Sequence, residues 1–180
     1  MPAYVSGLIY LMALGTVVLD AAIVACVVAL MFPSGRRVIV PVIRSGAFLV
    51  VVLLSIACVA GTLIMQYAGA LAPCVLCWWQ RVFLYPVALI ALVAFFKNER
   101  FAKIADYVLA LSCIGALIAL YQHLLQVLPQ GALIPCDATG DCAVRSVFEF
   151  NFVTIPWMAF TAFVALGIVA WIARREEAVL

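Results

Sequence analysis

Five long apolar stretches account for most of this 180-residue chain. Each approaches or exceeds the roughly 20 residues that an α-helix needs to cross a bilayer. The stretches are Gly7–Met31, Gly46–Gln66, Trp78–Phe96, Ile104–Tyr121 and Val153–Ala173. Backbone N–H and C=O groups cannot stay unpaired in lipid, so segments of this kind must form helices. The sequence therefore predicts an all-α integral membrane protein.

The composition supports this prediction. Hydrophobic residues make up 69% of the chain and charged residues only 10%. A water-soluble domain of this size would need more charge to cover its surface. The net charge of +2 indicates no particular partner, and we expect contacts with membrane lipid and none with nucleic acid.

The positions of the cations predict the orientation in the membrane. Loops on the cytoplasmic side carry an excess of Lys and Arg. If all five stretches span, only Arg81 and Arg145 fall on one side. The other eight cations fall on the opposite side: Arg36, Arg37, Arg44, Lys97, Arg100, Lys103, Arg174 and Arg175. We therefore predict a multi-pass protein of the cytoplasmic (inner) membrane, with its N-terminus outside and its C-terminus in the cytoplasm.

The first stretch is interpreted as a retained helix and not as a cleaved signal peptide, because no Lys or Arg precedes it. It contains Asp20, a residue that is costly at this depth unless it is paired. The sequence does not reveal the role of Asp20. The segment Phe32–Ser45 that follows is expected to be a cytoplasmic loop, because it opens with Pro33, Ser34 and Gly35.

Two pairs of cysteines lie in short polar gaps between the apolar stretches. Cys74 and Cys77 form a C-x-x-C motif, and Cys136 and Cys142 enclose a short polar segment. In the predicted orientation both pairs face outward, where disulfides persist. Three further cysteines lie singly inside apolar stretches and are interpreted as packing residues: Cys26, Cys58 and Cys113.

The C-x-x-C pair is placed at the start of the third stretch, where it suits redox chemistry. This spacing brings two sulfurs close enough to bridge, and a helix N-terminus favours a thiolate. Arg81 follows Cys77 by four residues, so its permanent positive charge lies on the same helix face and stabilises a Cys77 thiolate. Such a thiolate can reduce a lipid-soluble acceptor, and a quinone (ubiquinone or menaquinone) is the obvious candidate. The alternatives are a structural disulfide or half of a zinc site.

Cys136 and Cys142 lie in the longest gap, residues 122–152, where a soluble protein can reach them. Asp137 and Asp141 flank the sulfurs, and neighbouring carboxylates disfavour a thiolate. The alternative is a structural disulfide that cross-links the loop and takes no part in redox chemistry. We expect no metal site, because zinc sites use shorter cysteine spacings and the outer compartment favours disulfides.

His123, the single histidine, lies at the outer end of the fourth stretch. It would share the depth of Arg81 and Cys77, where a neutral imidazole could hydrogen-bond a quinone carbonyl or relay a proton. The alternative is a packing or hydrogen-bonding residue. The following tail, Ala143–Phe152, is amphipathic, so it could lie among lipid headgroups or pack over the end of the bundle.

These motifs resemble the DsbB family of membrane thiol oxidases. The matching pieces begin after residue 45: Cys74-Val75-Leu76-Cys77-Trp78-Trp79-Gln80-Arg81, Tyr121-Gln122-His123, Gly140-Asp141-Cys142-Ala143 and Ile155-Pro156-Trp157. The resemblance implies a four-helix transmembrane bundle with a bound quinone, to which Gly7–Met31 adds one N-terminal helix. We accordingly divide the chain into residues 1–45, the extra helix with its cytoplasmic loop, and residues 46–180, the DsbB-like domain.

The resemblance also implies a function and residue roles. Members of the family reoxidise a DsbA-like thioredoxin-fold protein outside the cytoplasm and pass the electrons to a membrane quinone. By this resemblance, Cys136 would form the mixed disulfide with the partner, and Cys142 would resolve it and exchange with Cys74. Cys77 would meet the quinone, and Arg81 would stabilise the charged adduct. The short spacing from Cys136 to Cys142 resembles shorter-loop members of the family.

Three other functions are considered. An outward electron conduit would need cysteines reachable from the cytoplasm, and the cysteines inside the spans are single. A structural protein with two inert disulfides would show very low redox potentials for both pairs. A quinone reductase similar to vitamin K epoxide reductase would share the C-x-x-C motif, but the match of Arg81 to the DsbB motif argues against this function.

Overall fold

A computed structural model describes residues 3–129 and 141–174 of the protein. Five long helices follow one another in this part of the chain: α1 Ala3–Met31, α2 Pro33–Tyr67, α3 Val75–Phe96, α4 Ala102–Val127 and α5 Ile155–Ala173. In the described part of the connection between α4 and α5, the chain forms a 3₁₀ turn, Asp141–Ala143. Each long helix is apolar and long enough to cross a membrane. The predicted all-α membrane fold is therefore confirmed.

Helices α2 to α5 form the bundle, and α1 packs against its outside. Each bundle helix contacts its neighbour in the order α2, α3, α4, α5, and α5 returns to contact α2. Small and branched apolar residues fill the centre, where Val51, Val87, Val108 and Leu166 are fully buried. Helix α1 contacts α2 and α5. This arrangement agrees with a four-helix core plus one additional N-terminal helix.

The seam between α4 and α5 is closely packed because small residues line it. Gly115 of α4 lies against the ring of Phe163, so closely that any Cβ at this position would overlap the ring. Further along the seam, a Cβ on Gly167 would come within 3.8 Å of Ser112 Cβ. Small residues let helix backbones approach one another in a membrane, where dispersion contacts hold helices together.

The bundle has two chemically different ends. At one end, Arg44 Nε donates to the Ile172 carbonyl over 3.4 Å, and Arg174 pairs with Asp106 at 3.5 Å. This end, where α3 and α5 finish and α4 starts, is called the cationic end. The opposite end, where α2 finishes and α3 starts with Cys74, is called the cysteine end.

Helix α2 begins thirteen residues earlier than the apolar pattern indicates, at Pro33 in place of Gly46. The expectation of a loop over Phe32–Ser45 is wrong, since Phe32 alone keeps an extended backbone (φ −101°, ψ 137°). Proline needs no N–H partner in the first helical turn, so Pro33 starts a helix here. The division of the chain at residue 45 falls inside α2 and stays a prediction.

The segment that joins the 3₁₀ turn to α5 folds over the cysteine end. Glu149 and Val153 exchange two backbone hydrogen bonds of 2.9 Å, which close a tight turn. Val147 is buried in a cluster with Val5 and Ile9 of α1. One expected position of the tail, packing over the bundle, is therefore observed at Val147. The other expected position of the tail, among lipid headgroups, stays a prediction. Three aromatic rings of the tail are exposed: Phe148, Phe150 and Phe152.

Candidate redox site at the cysteine end

Cys74 and Cys77 stand together where α3 begins. Cys74 is the N-cap residue of α3, and Cys77 lies in its first turn. Both are free thiols, and their sulfur atoms are 3.1 Å apart. A small displacement of either side chain would bring the sulfurs to bonding distance. The structure thus places the C-x-x-C pair at a helix N-terminus, as the sequence predicts.

Arg81 lies one turn further along α3 and is buried, with 7% of its surface exposed. Its guanidinium donates hydrogen bonds to Gln66 Oε1 and, over 3.1 Å, to the Thr62 carbonyl. In residues 3–129 and 141–174 no carboxylate forms an ion pair with Arg81. A buried cation without an anionic partner is costly and strongly favours negative charge nearby. The nearest group able to carry that charge on the same helix face is the Cys77 sulfur.

Gln122 of α4 connects α4 to both sulfurs. Its Nε2 lies 3.1 Å from Cys74 Sγ and 3.4 Å from Cys77 Sγ. Its Oε1 accepts a hydrogen bond of 2.6 Å from Gln80 Nε2, which fixes the orientation of the amide. Gln122 is almost fully buried. Amide N–H groups directed at sulfur favour the anionic state of the pair.

The two thiols of the reduced pair are not equivalent. The hydrogen bond to the Cys77 sulfur and burial both raise the pKa of the Cys74 thiol. This raised pKa favours the location of the remaining proton on Cys74 when the reduced pair carries one negative charge. Cys77, one turn before Arg81, is left as the sulfur placed to carry negative charge.

Cys142 is held over the same face of α4 as the C-x-x-C pair. Cys142 is disulfide-bonded and buried. Gln126 Nε2 donates to the Cys142 carbonyl over 3.3 Å and to the Val144 carbonyl over 3.1 Å. Gln126 lies one helical turn beyond Gln122, so these two side chains share one face of α4. Helix α4 therefore brings Cys142 and the C-x-x-C pair to neighbouring turns.

Cys136, the other predicted member of the second pair, lies outside the described residues. The predicted flanking residue Asp137 lies outside them as well. The part assigned to Cys136 in exchange with a partner protein stays a prediction.

His123 is not brought to the C-x-x-C pair. Its Nδ1 is 2.9 Å from Thr154 Oγ1, and its ring centroid lies 4.8 Å from that of Trp157. Thr154 Oγ1 also accepts from the Trp157 backbone N–H and thereby caps α5. These contacts fit the hydrogen-bonding and packing alternative, and the predicted contact of His123 with a quinone stays a prediction.

A largely apolar cavity of about 150 Å³ opens beside the C-x-x-C pair. An apolar cavity of this size accepts one six-membered ring. Polar groups line the part that faces α3 and α4: Cys77, Gln80, Arg81, Gln122 and Gln126. The apolar part of the wall includes methionine and aromatic side chains: Met12, Met65, Met158 and Phe163. Such a cavity fits a flat, apolar ring whose acceptor atoms face Arg81.

Sequence reasoning assigned no role to the glutamines of this site, although a signal was present and Gln80 and Gln122 belong to the matching motifs. Gln66, Gln80, Gln122 and Gln126 all fall at or just beyond the ends of apolar stretches that meet at the cysteine end. A polar amide at such a depth requires partners. That requirement marks the four residues as a group, but their pairing depends on which helices are neighbours.

Comparison with known proteins decides the family. A family model described as disulfide bond formation protein DsbB matches residues 44–173. The chain belongs to the DsbB family. The matched part of this DsbB-family protein contains α3, α4, α5 and all of α2 beyond Ile43, and it excludes α1.

Curated relatives carry corresponding names. The chain is 36% identical over 118 residues to the probable disulfide formation protein C of Halalkalibacterium halodurans, covering 65% of this chain and 85% of the relative. It is 32% identical over 118 residues to the disulfide bond formation protein C of Bacillus subtilis, covering 65% and 84%. A probable disulfide formation protein of Metapseudomonas resinovorans is 37% identical over 108 residues, covering 58% and 73%. No solved structure is significantly similar to the chain.

Family and fold together establish the general function. The DsbB-family protein is a multi-pass membrane protein of disulfide bond formation, an oxidoreductase whose helices are long enough to span the bilayer.

Proposed function

We propose that this protein is a protein-thiol:quinone oxidoreductase. It reoxidises a DsbA-like thioredoxin-fold protein outside the cytoplasmic membrane and passes the electrons to a membrane quinone. The observation that carries the proposal is the buried Arg81, which has no carboxylate partner among the described residues. It lies one turn from a free C-x-x-C pair and lines the same apolar cavity.

The first two steps are thiol–disulfide exchanges, each of which moves two electrons. The partner's two thiols reduce the Cys136–Cys142 disulfide, and the partner leaves with its own disulfide restored. The reduced Cys136 and Cys142 then reduce a Cys74–Cys77 disulfide and recover their own bond. Each exchange proceeds by attack of a thiolate on a disulfide sulfur.

The hydrogen bonds of α4 support the second exchange. Gln126 holds the backbone of Cys142, and Gln122 holds the sulfurs of Cys74 and Cys77 one turn away. The couples can therefore meet without unfolding of either helix. Cys74 is the N-cap residue of α3, and α3 contacts the 3₁₀ turn that carries Cys142, which suits Cys74 to receive the attack.

The last step restores the Cys74–Cys77 disulfide. A quinone bound in the cavity supplies the acceptor for two electrons. In the described structure Arg81 donates one hydrogen bond to Gln66 and one to Thr62. A guanidinium has five N–H donors, so others are left for a ligand. The remaining donors and the positive charge stabilise negative charge at Cys77 and at a carbonyl oxygen beside it. As the Cys74 sulfur bonds to Cys77, the thiol proton of Cys74 and one proton from water would go to the two quinone oxygens, which balances the two electrons that the quinone accepts.

The outward conduit has less support. The free cysteines outside the C-x-x-C pair are Cys26, Cys58 and Cys113, and no two of them are hydrogen-bonded to each other in the described structure. Inert structural disulfides are also a poor fit to the C-x-x-C pair, since its two thiols are free and lie in a polar network.

The proposal is tested with purified protein, a reduced DsbA-like protein and a quinone. We expect Cys77→Ser to abolish quinone reduction, measured as the change in quinone absorbance, because no disulfide can then form at the cavity. Cys113→Ser is the matched control, since Cys113 is exposed on α4 away from the cavity. Undiminished turnover by Cys77→Ser, or partner oxidation that needs no quinone, would contradict the proposal.

A further inference from the structure

We propose that α1 is a specificity element of the quinone cavity, in which Met12 limits the size of the ring that can enter. This inference rests on the proposed reduction of a quinone. Helix α1 lies outside the matched family segment, residues 44–173. It nevertheless contributes Met12 to the wall of the cavity that Cys77 and Arg81 also line.

Met12 reaches the cavity because α2 has a glycine opposite it. A Cβ on Gly61 would lie only 2.6 Å from Met12 Cε, so the methionine occupies space that any other residue would fill. The next residue on α2, Thr62, accepts the hydrogen bond from Arg81 through its carbonyl. Met12 and the guanidinium of Arg81 therefore approach neighbouring residues of α2 and line the same cavity.

The position of α1 along the bundle is fixed by Asp20. Its two carboxyl oxygens accept hydrogen bonds from Trp157 Nε1 over 2.9 Å and from Thr161 Oγ1 over 2.6 Å, both on α5. A carboxyl group at membrane depth is costly without such partners. A shift of α1 by one turn would break both bonds, so Asp20 keeps Met12 at the level of the cavity.

Contacts nearer the N-terminus of α1 agree with this fixed position. Val5, Ile9 and Ala13 are buried and form one narrow stripe, whereas the neighbouring Leu11 is 63% exposed. Tyr10 contacts the ring of Phe150 over the cysteine end, with 5.6 Å between the centroids. The helix is thus attached along one face from the turn near Phe150 down to Asp20.

The size of the cavity gives Met12 a part in selecting the ring. A volume of about 150 Å³ suits one six-membered ring, and a second fused ring would press against the side chains of the wall, among them Met12. Truncation of Met12 to alanine removes the Cγ, Sδ and Cε atoms that form this part of the wall. Single methylene groups in apolar pockets change specificity by about tenfold or more.

The experiment compares a benzoquinone with a naphthoquinone of equal tail length. It measures kcat/KM for each during turnover with a reduced DsbA-like protein, and the equilibrium Kd for each with oxidised protein, which binds the quinone without reducing it. We expect Met12→Ala to raise the preference for the naphthoquinone by about tenfold in both quantities. Met12→Leu, which conserves volume, and Leu11→Ala, which changes an exposed neighbour, should keep the wild-type ratio. The leucine variant also shows that position 12 tolerates substitution.

Asp20→Ala tests the positioning role. We expect it to change the naphthoquinone-to-benzoquinone ratio in the same direction as Met12→Ala, and the double variant to add nothing, since both act through one side chain. Ratios that stay at the wild-type value in Met12→Ala, or additive effects in the double variant, overturn the inference. Wild-type protein that reduces neither quinone would instead refute the proposed function itself.

Discussion

Arg81 illustrates how a single buried charge determines the chemistry around it. Its guanidinium is oriented by one side-chain amide and one backbone carbonyl, from Gln66 and Thr62, and neither acceptor neutralises the charge. The sequence predicts its position relative to Cys77, since four residues make one helical turn. The sequence does not predict the acceptors, because they belong to a different helix.

Two substitutions of Arg81 distinguish the effect of its positive charge on quinone reduction from the effect of its paired N–H donors. We expect Arg81→Lys to lower kcat/KM for the quinone by about tenfold, because the charge remains while the paired donors are lost. Arg81→Met, which removes the charge as well, should lower it by at least about a hundredfold. Steady-state kinetics with the purified variants measure both effects. Equal rates for wild type and Arg81→Met would show that the charge plays no part.

The raised pKa of Cys74 gives a pH-dependent prediction. Alkylating reagents attack the thiolate, so Cys74 of the reduced protein should react only at a higher pH than an ordinary thiol. Cys77→Ala removes the hydrogen bond that contributes most to the shift, and the alkylation profile of Cys74 should move to lower pH. Mass spectrometry of the labelled peptide, with unfolded protein as the reference, measures both profiles. Identical profiles in the two folded proteins would contradict the assigned cause.

At the scale of helices, the sequence predicts interiors better than it predicts ends. All five spans follow from apolar runs, because lipid permits no other backbone arrangement over such a length. The start of α2 does not follow, since Pro33, Ser34 and Gly35 suit both a turn and a first helical turn. The helical form is observed, and it places Arg44 beside the last turn of α5.

The α4–α5 seam provides a test of helix packing. We expect Gly115→Ala to destabilise the folded protein by about 1–3 kcal/mol, because the new methyl group overlaps the ring of Phe163. Gly46→Ala is the matched control, since nothing lies within 4 Å of a Cβ at that position. Denaturation in detergent micelles, followed by circular dichroism, measures the difference. Equal stability of the two variants would mean that α4 and α5 can move apart at this seam without a loss of folding stability.

For the molecule as a whole, the separation of cations from cysteines predicts how the bundle sits in the membrane. We expect an impermeant maleimide added to intact cells to label Tyr67→Cys at the cysteine end and not Asn98→Cys at the cationic end. Both native residues are uncharged and exposed, so neither change alters the charge bias. Mass spectrometry identifies the labelled site. Labelling of position 98 alone would reverse the proposed orientation.

The sequence indicates the membrane fold, the two cysteine pairs and the cation beside one of them, because each depends on local spacing or composition. It does not indicate the cavity or the partners of Asp20, because these depend on which helices become neighbours. Trp157 and Thr161 bind Asp20 across more than 130 positions of sequence. Only the packing of α1 on α5 brings those residues together.

The spacing of Gln122 and Gln126 places the C-x-x-C pair and the Cys142 segment at neighbouring turns of α4. Gln122 bonds to the sulfurs of Cys74 and Cys77, and Gln126 bonds to the backbone carbonyl of Cys142, so the two contacts lie four residues apart, about 6 Å along the axis of α4. A single residue inserted between them would rotate one amide by about 100° and carry its couple to another side of α4. In the proposed relay, the register of α4 aligns the Cys142 segment with the C-x-x-C pair, so we expect a shift of that register to impair exchange as strongly as the loss of a cysteine.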